Sequence, residues 1–264
     1  DKIEGTLYAD ESYSRIFYVV DGELVYRPVG KKNSEETRIA KDVTRFKITA
    51  DGKKVFYIKS GDLFVSNLKE GTKIAKDVSE FYIAPNGKTV VYGVRGDDDY
   101  TLYRKTGSNL EKADAKKIAT GTIDVEWFDE DLNTIIFSSE DTLYSQTGTK
   151  DKVKIASDAD IVGRVYDNGS FYYTKDEEND DEEERTLYFY DGKKSTKLTS
   201  DYSYSVESVV DKVGLLFAYV DTEGDEPETN YYVATKTTLA SVSGEDVEDS
   251  TINYDGTKLR ILKD

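Results

Sequence analysis

The chain has 264 residues, with 36 basic and 53 acidic side chains for a formal net charge of −17, and no cysteine, histidine or methionine. A chain this long buries a full core without disulfide staples, and these absences exclude disulfides, thiolate or His-ligated zinc, and Ser-His-Asp or Cys-His catalysis. The charge balance disfavours nucleic acid, whose phosphates it would repel, and no run approaches the roughly 18 apolar residues of a membrane-spanning helix.

In chain order, "RIFYVV" (15–20) and "GELVYRP" (22–28) read as adjacent strands leading into "TRIAKDV" (37–43). The last returns as "TKIAKDV" (72–78), and weaker copies follow as "KKIATGT" (116–122), "VKIASDA" (153–159), "TKLTSDY" (196–202) and "TTLASVS" (237–243). Each copy lies 35 to 44 residues after the one before. Ahead of each comes an apolar strand: "KVFYIK" (54–59), "TVVYGV" (89–94), "TIIFSS" (134–139), "SFYYTK" (170–175) and "LLFAYV" (215–220). Earlier still is a first strand ending in a turn, as in "FKITADGK" and "FYIAPNGK", where Asp-Gly and Asn-Gly suit tight hairpins because both positions can take φ > 0. Four short strands at this period indicate an all-β chain, a β-propeller of four-stranded antiparallel blades. Stacked blades bury their middle strands on both sides, which is why "TVVYGV" does not alternate. The whole of 1–264 reads as one propeller domain. "STINYDGTKLRILKD" (250–264) begins another blade, so seven blades with an incomplete last one are expected, with six as the alternative.

"IAPNGKTVVY" and "ITADGKKVFY" resemble the Ser-Pro-Asp-Gly-Lys turn-and-strand motif of TolB-like, WD40-like propeller repeats. The resemblance covers nearly the whole chain, with the second and third blades matching best. It implies a propeller used as a binding platform, often outside the cytoplasm, and is silent on activity. Because the chain starts at Asp1, a signal peptide, anchor or further domain upstream is expected.

With strands a to d running outward in each blade, the b–c and d–a connections share one face. Three b–c hairpins there are acidic: "RGDDDY" (95–100), "DEENDDEEER" (176–185) and "DTEGDEPET" (221–229). The candidate binding residues are therefore Asp97, Asp98, Asp99, Asp176, Glu177, Glu178, Asp180, Asp181, Asp225 and Glu226, and Asp42, Asp77 and Asp158 add charge on the same side. Solvated hairpin tips that block edge pairing are the plainer account of such charge. The alternative is steering of a basic protein segment or cationic polymer. No cofactor is expected; calcium binding would be weak and multisite, because no D-x-D-x-D-G loop is present. In the central channel, Glu126 and Trp127 of "DVEWFDED" are the candidate site residues, with Trp127 read first as a core aromatic. The expectation is a non-catalytic platform for a protein or cationic polymer: a monomer with no membrane insertion, located outside the cytoplasm at a cell surface, in a periplasm or secreted. A carboxylate-dependent carbohydrate-active enzyme and a purely structural spacer are the alternatives.

Overall fold

A computed structural model of the chain describes residues 3–30, 35–69, 71–96, 99–178, 183–199, 205–210, 214–221, 228–241, 247–252 and 259–263. The first sheet comprises β1 (Ile3–Ala9), β2 (Arg15–Val20), β3 (Glu23–Pro28) and β4 (Thr37–Lys41). The second comprises β5 (Val43–Ile48), β6 (Val55–Lys59), β7 (Asp62–Ser66) and β8 (Thr72–Ala75). The third is β9 (Val78–Ile83), β10 (Thr89–Arg95), β11 (Tyr100–Thr106) and β12 (Lys116–Thr120). The fourth is β13 (Asp124–Phe128), β14 (Thr134–Ser139), β15 (Thr142–Thr147) and β16 (Val153–Ser157). The fifth is β17 (Ala159–Val162), β18 (Phe171–Glu178), β19 (Glu183–Tyr190) and β20 (Ser195–Thr199). The sixth is β21 (Ser205–Val210), β22 (Gly214–Asp221), β23 (Glu228–Ala234) and β24 (Leu239–Ser241). A two-stranded sheet of β25 (Val247–Ile252) and β26 (Leu259–Lys263) follows. In every sheet the strands pair in chain order, and each printed pairing is antiparallel. These are the blades of a β-propeller.

Two compact units divide the chain. One contains Asp1–Asp124, Phe128–Ile135 and Gln146–Lys152, the other Val125–Trp127, Ile136–Ser145 and Val153–Asp264. Within each, the apolar clusters draw on consecutive sheets. In the first unit Phe17, Val19 and Leu24 pack with Val43, Phe46 and Val55, while Phe56, Ile58 and Leu63 pack with Phe81, Val90 and Tyr92. In the second unit Ile136, Leu143 and Ala156 pack with Ala159, Phe171 and Tyr173. A sheet with a neighbour on each face has no solvent side for its middle strands, so β10 is buried from Thr89 to Gly93. Each such Phe, Leu or Val contributes about 1.5–3 kcal/mol by burial.

The best-repeated segment, "AKDV", is the crossing from one blade to the next, as its place among the d–a connections implies. Asp42, Asp77 and Asp158 all take left-handed φ, at 57°, 53° and 50°, a region Asp tolerates better than most residues. The next residue then donates its N–H back to the preceding blade: Val43 to the Gly22 carbonyl, Val78 to Gly61 and Ala159 to Asp141. These aspartates thus have a backbone task that charge alone did not suggest. A second recurrent feature is a register shift just after the repeated leucine of the third strand, at Leu24, Leu63, Leu102, Leu143 and Leu187.

The first hairpins depart from the sequence expectation in one respect. In the Asp-Gly and Asn-Gly hairpins the glycine alone of the pair takes φ > 0, with Gly52 at 60° and Gly87 at 62°. Asp51 and Asn86 instead accept the N–H two residues on, from Lys53 at 3.0 Å and Lys88 at 2.8 Å, which is an Asx turn. Two consecutive left-handed residues occur in the short b–c hairpins, at Asp21-Gly22, Ser60-Gly61 and Glu140-Asp141.

One buried position breaks the apolar pattern. Arg104 of β11 is 2% exposed, and its Nη1 donates to Gln146 Oε1 at 2.6 Å and to the Gly148 carbonyl. Its Nε and Nη2 are buried without a partner among the described residues.

Candidate functional site

Three first strands of the first unit line a groove. Thr6 and Tyr8 come from β1, Thr44 to Lys47 from β5, and Glu80 to Tyr82 from β9. The cavity measures about 620 Å³, within the range of pockets that hold ligands. Strand alternation sets what it offers. Phe46 and Phe81 turn into the core, where each is nearly fully buried. Arg45 and Lys47 lie two residues apart on one face of β5, as do Glu80 and Tyr82 on β9.

Glu80 is the hub of this wall. Tyr82 Oη donates to Glu80 Oε2 at 3.3 Å, and Tyr100 Oη donates to Oε1. Tyr100 is the first residue of β11, and its ring reaches Glu80 by lying across Gly93 of β10. A Cβ at Gly93 would collide with the Tyr100 hydroxyl and ring. Burial, then the hydrogen bond and charge of Glu80, push the Tyr100 phenol well up. Burial followed by the same carboxylate raises Tyr82. Both phenols are therefore protonated donors at neutral pH.

Two side chains contact the Tyr82 ring. Lys47 Nζ sits 5.1 Å from its ring centroid, and the Phe128 ring lies 4.7 Å away, tilted by 45°. Burial pulls the Lys47 ammonium below its ordinary pKa, and the Glu80 charge opposes that fall. Arg45 is exposed and donates from Nη1 to the Ser79 carbonyl at 2.8 Å. The Tyr8 ring meets Phe46 edge-on at 5.1 Å. Glu80 is the carboxylate that the described residues contribute to the groove lining.

The structure places the sequence candidates elsewhere. Asp99 is exposed and closes the hairpin before β11, where its carbonyl accepts the Gly96 N–H at 2.6 Å. Asp176 lies on β18 and pairs with Arg185 Nε at 2.8 Å, both about half exposed. Glu177 and Glu178 continue β18 opposite Glu184 and Glu183. Asp97, Asp98, Asp180, Asp181, Asp225 and Glu226 lie outside the described residues. Glu126 is exposed on β13 and accepts from the Ser138 hydroxyl at 3.3 Å. Trp127 is half-buried; it packs on the cluster around Phe171 and Tyr173, and a Cβ at Gly169 would lie 3.3 Å from its ring. Among the described residues no group of three or more acids is arranged to hold a metal, and no helix is long and apolar enough to cross a membrane.

Sequence reasoning did not single out Arg45, Lys47, Glu80, Tyr82 or Tyr100. The available signals were a glycine inside the apolar run "TVVYGV" and charged residues spaced by two in first strands that should be half-buried.

No protein-family model matches the chain, and no curated protein matches it in sequence. Solved structures do resemble it. The β-propeller domain of the Trilobed protease from Pyrococcus furiosus is 14% identical over 91% of this chain and 86% of that one, with a TM-score of 0.44. A eukaryotic initiation factor is 13% identical over 95% of this chain and 68% of that one, with a TM-score of 0.51. TolB from Acinetobacter baumannii is 13% identical over 84% of this chain, with a TM-score of 0.39. The match spans 61% of that TolB chain, less than two thirds of its length. At these identities the likeness concerns fold alone, and there the TolB-like resemblance agrees with the sheets described above. The comparisons correct one expectation. The chain was expected to be no enzyme, yet its structural neighbours include a protease domain, an acylaminoacyl peptidase and an oligogalacturonate lyase. This fold serves catalytic proteins, so architecture gives no ground for excluding activity.

Proposed function

We propose that the protein is a binding platform for a polypeptide or polymer partner carrying positive charge, working outside the cytoplasm. The partner engages the acidic hairpin between β10 and β11 together with the groove beside it. The observation that carries this reading is the bond from Tyr100 to Glu80. It joins Tyr100, the residue after exposed Asp99, to a carboxylate that lines the groove. The formal charge of −17 supports steering of a cationic partner toward it. The extracytoplasmic location rests on the resemblance to TolB-like repeats.

Titration with octalysine followed by NMR tests the reading. Shifts are expected at Asp99, Tyr100 and Glu80, and the affinity should fall steeply as salt rises. Neutralising Asp97, Asp98 and Asp99 to Asn should weaken binding about tenfold, whereas neutralising Glu111, Glu130 and Asp151 should leave it unchanged. Equal effects from the two triple variants would reduce the interaction to diffuse charge and sink the proposal.

A further inference from the structure

Two cations, Arg45 and Lys47, line the groove. Neither Arg45 nor Lys47 forms an ion pair among the described residues, although acids outnumber bases in the chain by 53 to 36. Arg45 uses Nη1 on a backbone carbonyl, and no other bond of its guanidinium fork is present among the described residues. Lys47 is half-buried against the Tyr82 ring, an arrangement that holds the ammonium without neutralising it. Glu80, whose charge acts on Lys47, already accepts from two phenols. As residues i and i+2 of one strand, the two side chains leave the backbone roughly 6.5–7 Å apart along β5 and line the same cavity. Two long cationic side chains rooted at that spacing can converge on one anionic group.

We propose that Arg45 and Lys47 are a docking site for a carboxylate side chain of an extended polypeptide partner, a reading that rests on the binding platform proposed above. Polypeptide is favoured over saccharide because both tyrosine rings of the groove are already engaged, Tyr82 by Lys47 and Phe128 and Tyr8 by Phe46. The net charge of −17 would repel a purely acidic ligand, so the carboxylate must sit in a segment whose flanks are basic. Such a segment meets the acidic hairpin with its cations and the groove with its single acid.

The probes are the heptapeptides acetyl-KKGEGKK-amide and acetyl-KKGQGKK-amide, titrated into the full chain by NMR. The Glu peptide should bind about tenfold more tightly than the Gln peptide, because charge-assisted hydrogen bonds to the carboxylate are lost in the latter. The Arg45→Gln/Lys47→Gln variant should bind both peptides alike, and Arg45→Lys/Lys47→Arg should keep the preference. Neutralising Asp97 to Asp99 should weaken both peptides by the same factor. Equal binding of the two peptides to the unaltered protein overturns the carboxylate site while leaving the platform standing. A preference that survives Arg45→Gln/Lys47→Gln also overturns it. No binding of either peptide overturns the platform and this site together. A tetrameric oligouronate binding more tightly than the Glu peptide would overturn the polypeptide assignment.

Discussion

Two hairpins of the same unit solve one geometric problem with different chemistry. At 49–54 the Thr49 N–H donates to the Lys54 carbonyl and Gly52 N–H to Thr49. At 129–134 the Asp129 N–H donates to Thr134 and Leu132 N–H to Asp129, the same pattern. The left-handed position is Gly52 in one and Leu132, at φ 54°, in the other. In the glycine hairpin the bracing carboxylate is that of Asp51, inside the turn. In the leucine hairpin it is Asp129, at the start, accepting from Asn133 at 2.6 Å and Thr134 at 2.9 Å. The hairpin at 10–15 repeats the second solution with Tyr13 at φ 53° and Asp10 accepting from Ser14 and Arg15. Where glycine is used, it also makes room: a Cβ at Gly52 would lie 2.8 Å from Asp10 Cβ, and one at Gly87 2.5 Å from Thr49 Cγ2. The lesson is that a non-glycine residue is held left-handed where an aspartate supplies backbone bonds, and that close approach of the preceding blade accompanies glycine.

The largest test is Gly87→Ala, which meets both the left-handed φ and the contact with Thr49. It should cost about 3 kcal/mol in urea unfolding. A loss below 1 kcal/mol would show that the approach is slack.

Next comes Asp10→Ala, which strands two backbone donors and the Ser14 hydroxyl and should cost about 2 kcal/mol. Burial acts to raise the Asp10 carboxyl, but the bonds from the Ser14 hydroxyl and the Arg15 and Ser14 amides outweigh it and hold the pKa below its ordinary value. A folded pKa below the unfolded value of about 3.9 means that this stabilisation is complete above pH ~4 and is lost as pH falls through the folded value. Unfolding at pH 7 and pH 2.5 should therefore show a smaller gap between Asp10→Ala and the unaltered protein at the lower pH.

Smaller effects of opposite sign separate the two leucine-type hairpins. Leu132 is 6% exposed, so Leu132→Gly relieves the backbone but forfeits burial, for a net loss of about 1–2 kcal/mol. Tyr13 is 74% exposed, and Tyr13→Gly should stabilise by about 0.5–1 kcal/mol. Equal signs in thermal unfolding would break the comparison.

Much of the fold was legible because its signals are local. A strand enclosed between two neighbours must be apolar on both faces, and "TVVYGV" is. A chain that reverses every few residues needs turn-formers, and the Asp-Gly and Asn-Gly pairs lie where the hairpins are. The site was legible only in pieces. Charge drew attention to the hairpin tips, and Asp42, Asp77 and Asp158 were legible as residues between blades, but no composition reveals their left-handed φ.

By itself the sequence determined the repeat, the order of four strands within it and which of them are enclosed, since these depend on spacing and polarity along the chain. Tertiary structure alone decided which side chains meet. Lys47, Tyr82, Tyr100 and Phe128 come from three different sheets and come together only because those sheets stack at a fixed offset. Alternation assigns a residue to a face, but packing decides what stands opposite, and so it decided that Glu80 would be held by two tyrosines while Arg45 and Lys47 form no ion pair among the described residues.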